Sequence, residues 1–77
     1  MMNKSHERKY IFCRHELLLL VKAIDKDVLR LEYEVHVSGE ETVTVVWLTP
    51  ETEYKKRVYV TGDSFSALTT DVLKVIG

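Results

Sequence analysis

Leu29, Leu31, Tyr33, Val35 and Val37 alternate with Arg30, Glu32, Glu34 and His36. Strict alternation marks a strand with one apolar and one polar face. Ser38-Gly39-Glu40-Glu41 reads as the turn that follows. Thr42–Leu48, rich in β-branched residues, makes a second strand, and Pro50 ends it because proline has no N–H for the ladder. Tyr54–Thr61 is a third strand. Before these strands, Tyr10, Cys13, Leu17, Leu20, Val21 and Ile24 recur at three and four residues, which is helical spacing. The consecutive leucines Leu17 to Leu20 spread beyond one stripe and predict a helix buried on two sides. Residues 6–13 have two readings: part of this helix, or a short strand over Lys9–Cys13 with the helix starting near Arg14. Asp25-Lys26-Asp27 is a polar stop. At the other end Phe65, Leu68, Val72, Val75 and Ile76 share one helical stripe. Asp63 or Ser64 stands where a cap belongs, and Gly77 lies just past the helix end.

The apolar pattern also predicts a register. A loop at Gly39–Glu41 pairs Val37 with Val43, Val35 with Val45 and Tyr33 with Trp47. A loop at Pro50–Glu53 pairs Val45 with Val58 and Val43 with Val60. The expected core face is then Leu31, Tyr33, Val35, Val37, Val43, Val45, Trp47, Val58 and Val60, with Trp47 buried against Tyr33 and the last helix. The expected fold is α+β: a helix, a three-stranded antiparallel meander and a helix, with the helices packed on one sheet face. The 77 residues suffice for one small domain, with residues 1–5 as a loose terminus.

Composition narrows the classes. With 45% hydrophobic residues the chain is not disordered by composition. The single cysteine, Cys13, excludes an internal disulfide, which points to a reducing, cytoplasmic setting. The longest apolar run, Leu17–Val21, is far short of a membrane span, so no membrane partner is expected. The formal net charge of −1 disfavours a general polyanion binder. Its distribution is uneven. Residues 31–53 carry six glutamates and no Lys or Arg, whereas residues 54–77 carry four Lys/Arg and two aspartates.

No complete catalytic, metal or cofactor motif is present, and the chain does not read as an enzyme. Tyr59-Val60-Thr61-Gly62-Asp63-Ser64-Phe65-Ser66 resembles the nucleophile block of the GDSL-type esterases and lipases, which also place Gly-Asp-Ser between a strand and a helix. The resemblance implies Ser64 as nucleophile. It covers eight residues, and the family's late Asp-x-x-His is missing: only 13 residues follow Ser64, none of them histidine. A serine needs an adjacent base. Without one, Gly62 is expected to make the turn and Asp63 or Ser64 to cap the helix. Cys13, His15 and Glu16 cluster in sequence, but three histidines and one cysteine give too few ligands in metal-binding spacing. Cys13 is expected to pack as a small hydrophobe. Asp25-Lys26-Asp27 starts like a calcium loop and departs from it at Leu29 and Arg30.

Lys55-Lys56-Arg57, flanked by Tyr54 and Tyr59, is the only basic run. The element order is similar to that of double-stranded-RNA-binding domains, which makes a nucleic-acid-binding module the alternative function. That family's basic positions are occupied here by Asp63-Ser64-Phe65-Ser66 and by Ser38-Gly39-Glu40-Glu41, neither of them basic. The favoured expectation is a non-enzymatic interaction or accessory module. In the predicted register Val46 lies between Glu34 and Arg57, Leu48 between Glu32 and Lys55, and Thr44 beside Tyr59. Val46, Leu48 and Tyr59 would form an exposed apolar strip. Glu32 and Glu34 border it on one side, Lys55 and Arg57 on the other. Such a face suits a protein partner or a second copy of the chain.

Overall fold

A computed structural model of the protein describes residues 3–76. The chain runs through α1 (Lys4–Arg14), α2 (Glu16–Ile24), β1 (Val28–Val35), β2 (Glu41–Leu48), β3 (Glu53–Tyr59) and α3 (Phe65–Ile76). The strands form one antiparallel sheet in the order β1-β2-β3, and the helices pack on one of its faces. The α+β meander flanked by helices is therefore present.

Residues 6–13 are helical. Asn3 begins α1 with a reciprocal cap: its side chain accepts from the His6 N–H at 2.9 Å, and its own N–H donates to the His6 ring. Of the expected loose terminus, Met1 and Met2 lie outside the described residues, as does Gly77, while Lys4 and Ser5 belong to the first helical turn. At His15 the backbone leaves the helical region, with φ −120° and ψ −83°. The helix is thereby split: His15 N–H donates to Ile11 O at 3.1 Å and closes α1, while its C=O accepts from the Leu19 N–H at 3.0 Å and opens α2. Lys9, Cys13, Leu17 and Val21, four residues apart, form the buried line of both helices. The second buried side expected of the leucine run is absent: Leu19 and Leu20 face outward.

The first hairpin corrects the predicted register. His36 N–H donates to Glu40 O at 2.8 Å and Gly39 N–H to His36 O at 2.9 Å. The loop is Val37-Ser38-Gly39, not Gly39–Glu41. Its last residue, Gly39, has φ +93°. A three-residue hairpin loop closes with a left-handed residue, and glycine adopts that conformation without Cβ strain. Val43 consequently pairs with Tyr33 rather than Val37, and Val45 with Leu31 rather than Val35. The second hairpin is tighter than predicted. Thr49 N–H donates to Thr52 O at 2.9 Å, leaving Pro50-Glu51 as a two-residue loop. Val43 pairs with Val58 rather than Val60. Both slips are by an even number of residues, so the side chains from Arg30 onward keep their faces. At the start of β1 the register shifts between Val28 and Arg30, which puts Val28, opposite Trp47, in the core.

The core therefore contains Leu31, Tyr33, Val43, Val45 and Val58 as expected, packed on Cys13, Leu17, Val21, Leu68 and Val72. Val37 is wholly exposed in the turn, and Val35, Trp47 and Val60 are half-buried. Trp47 does not meet Tyr33. It opposes Val28 and Tyr54, and its Nε1 donates to Asp25 Oδ2 at 2.9 Å. Asp71 secures α3 by accepting from the Thr61 N–H and hydroxyl, both at 2.9 Å.

Candidate functional site

Lys9 lies on the buried line of α1, and its side chain is 1% exposed. A charge so placed needs partners, because an unpaired buried ammonium is costly. Its Nζ donates to Glu41 Oε1 at 2.8 Å and Asp63 Oδ1 at 3.0 Å. Tyr33 donates its hydroxyl to the same Glu41 oxygen at 2.5 Å, and His6 Nε2 stands 3.8 Å from the other. α1, β1, β2 and the β3–α3 loop converge here. Burial pulls the Lys9 pKa down, but the hydrogen bonds to Glu41 and Asp63 outweigh it and hold the ammonium above its ordinary value. Burial pushes the Glu41 carboxyl up, while the bonds from Lys9 and Tyr33 bring it below the usual range. The Lys9 bond lowers Asp63. A lysine kept charged is no nucleophile, so this cluster acts as a structural lock between helix and sheet.

The lock joins residues 32 and 54 positions apart, and no local motif announces it. A weaker signal was in the sequence. Lys9 continues the spacing of Cys13, Leu17 and Val21, and Glu41 has the parity of Val43 and Val45. Reading Glu41 as a turn residue hid the second half of that signal.

The esterase-like block has a different use. Ser64 Oγ accepts from the Ala67 N–H at 3.1 Å, and Leu68 N–H donates to Ser64 O. Ser64 is the cap of α3, while Asp63 turns to Lys9. No histidine shares a hydrogen bond with Ser64 among the described residues. Gly62 matters for space: a Cβ there would sit 2.6 Å from Ala67 Cβ. Cys13 is fully buried, and burial pushes its thiol up to about 12, while neighbouring His15 is exposed. No group of three or more His, Cys, Asp or Glu residues among those described could hold a metal. Asp25 accepts from the Asp27 N–H at 3.1 Å, which makes the would-be calcium loop a turn.

On the outer sheet face the corrected register rearranges the expected strip. Val46 lies between Arg30 and Lys55, Thr44 between Glu32 and Arg57, and Thr42 between Glu34 and Tyr59, while Leu48 opposes Glu53. Val46 is 0% exposed, contrary to the expectation for it. It sits on the middle strand beside Arg30, which bonds Glu32 at 2.7 Å and Glu53 at 3.1 Å, so long charged side chains roof it. Leu48 and Tyr59 are exposed, but at opposite ends of β2, so no continuous apolar strip exists. Glu32 and Glu34 do stand on one side of this face and Lys55 and Arg57 on the other, around a shallow depression floored by Thr44.

Larger apolar exposure occurs elsewhere. Leu19 is 72%, Leu20 45% and Ile24 56% exposed, on neighbouring turns of α2. Among the described residues no helix is long and apolar enough to cross a membrane. The chain matches no family model, no curated protein and no solved structure.

Proposed function

We propose that this protein is a non-enzymatic interaction module that associates with a second copy of itself through α2. The observation that carries this reading is the uncovered face formed by Leu19, Leu20 and Ile24. Side chains three and four apart on a helix adjoin, so these three form one patch with Ala23. Contiguous apolar patches of this kind mark contact surfaces. Glu16 starts the patch and Lys26 follows its end. Two such helices packed antiparallel about a two-fold axis bring acid to base at both ends. The outer sheet face, with Val46 roofed, contributes charge rather than apolar contact. Sedimentation equilibrium tests the proposal. The wild type should dimerise with rising concentration, and the double variant Leu20→Glu, Ile24→Lys should stay monomeric with an unchanged unfolding midpoint. A wild type that is monomeric throughout, or a variant that still dimerises, refutes it.

A further inference from the structure

The two edges of the sheet differ in a way that points to a ligand. On β1 the helix layer reaches the edge strand: Leu31 and Tyr33, on its helix face, are 4% and 3% exposed. On β3 every residue from Glu53 to Arg57 is exposed, as is Tyr59. The ladder's phase is set by Thr49 N–H to Thr52 O at 2.9 Å and Val60 N–H to Glu41 O at 3.0 Å. Antiparallel bonding alternates along a strand, so Tyr54, Lys56 and Val58 turn their backbone groups toward β2. Lys55, Arg57 and Tyr59 turn theirs off the sheet. They make no backbone hydrogen bond outside the ladder among the described residues. Nor do Lys55, Lys56 and Arg57 make an ion pair there. The helix layer also stops short of this edge, since Tyr54 and Lys56, opposite Trp47 and Val45, are exposed on the helix side.

We infer that the β3 edge docks an extended, acid-rich segment of another protein as a fourth strand. The open N–H and C=O groups of Lys55, Arg57 and Tyr59 supply strand addition. The charges choose the occupant. Lys55 and Arg57 project on the outer face and Lys56 on the helix face, so an added strand meets a cation whichever way its side chains point. Aspartate or glutamate opposite them is favourable, and like charges directly opposite are not. A second copy's β3 brings Lys55-Lys56-Arg57 against itself, which lysine-bearing edges are built to prevent. The acidic segment is therefore a partner's, and exposed Tyr54 and Tyr59 offer apolar contacts at its two ends. This site shares the interaction-module reading but uses a surface separate from α2.

The test titrates the full chain, labelled for NMR, with a short capped peptide of alternating glutamate and valine. Binding should slow exchange of the Lys55, Arg57 and Tyr59 amides. N-methylation of alternate peptide amides should weaken it about tenfold or more, as should the change Lys55→Glu, Arg57→Glu in the protein; tenfold corresponds to about 1.4 kcal/mol, a modest demand on one or two strand hydrogen bonds. The Leu20→Glu, Ile24→Lys variant should bind as the wild type does, which separates this site from the dimer contact. Equal binding by the N-methylated peptide would reduce the effect to charge attraction and overturn the proposal. So would protection confined to α2, absence of binding, or tighter engagement of the same amides by duplex RNA.

Discussion

Lys9 shows how one residue can hold distant parts of a small chain together. Lys9→Met retains the stem but removes the ammonium, leaving Glu41, 15% exposed, without its main counter-charge. The loss should be about 3 kcal/mol, measured by urea unfolding at neutral pH. The lock also sets a pH window. Glu41 and Asp63 titrate below their ordinary values of 4.5 and 3.8 in the folded chain. Their stabilisation is present above those values and is lost as pH falls through the depressed ones. Lys9 titrates above its ordinary 10.5, so its contribution is present below that pH and is lost as pH rises through the raised value. Asp63 is 92% exposed, so water screens its share and Glu41 dominates the acid side. The acid-induced loss should be smaller in Lys9→Met; identical acid titrations would show that the lock does not govern it. Ser64 carries a smaller, local role. Ser64→Ala removes the cap of α3 and should cost about 0.5–2 kcal/mol. Ester hydrolysis by the wild type that vanishes in this variant would restore the catalytic reading.

At the scale of elements, the turn set the sheet's register more strongly than the matching of valines did. Gly39, at φ +93° with open space around it, is constrained by backbone conformation alone. Gly39→Val should therefore lower stability by about 1–2 kcal/mol, while Gly39→Asn, which tolerates the left-handed region, should lose clearly less. Thermal melts of the two variants decide this; equal midpoints would mean the loop closes some other way. The helices are less legible in the sequence. The buried stripe is visible in the spacing of Cys13, Leu17 and Val21, but the break at His15 has no glycine or proline to signal it.

For the whole molecule, layer coverage decides which apolar residues reach water. Val46 and Leu48 share a face and a strand, yet one is 0% and the other 59% exposed. Val46→Lys forces a charge beneath Arg30 and beside Lys55, and should cost about 2 kcal/mol or more. Leu48→Lys, at the strand's end, should stay within about 0.5 kcal/mol. Chemical denaturation of the pair checks this, and equal losses would mean the charged roof over Val46 is not held in solution. The same coverage reaches β1 but stops short of β3, and it assigns the apolar surface to α2 rather than to the sheet.

Local patterning alone determined the order helix–meander–helix, the class of every element outside residues 6–13, and the face of the strand residues from Arg30 onward. These follow from periods of two and of about 3.6, which any short stretch of chain carries in itself. From Arg30 onward the face assignment holds despite two register slips because both are even. Patterning also placed the cap of the last helix at Asp63 or Ser64, and only the structure chose Ser64. Only the tertiary structure decided what lies opposite what. Whether Tyr33 meets Val43 or Trp47 depends on the φ of a single glycine. Whether Leu20 is core or surface depends on how far the neighbouring layers extend. The Lys9–Glu41–Asp63 lock needs segments 32 and 54 residues apart brought to one point, and its partners are chosen by three-dimensional proximity, for which the order of residues along the chain carries no short-range code.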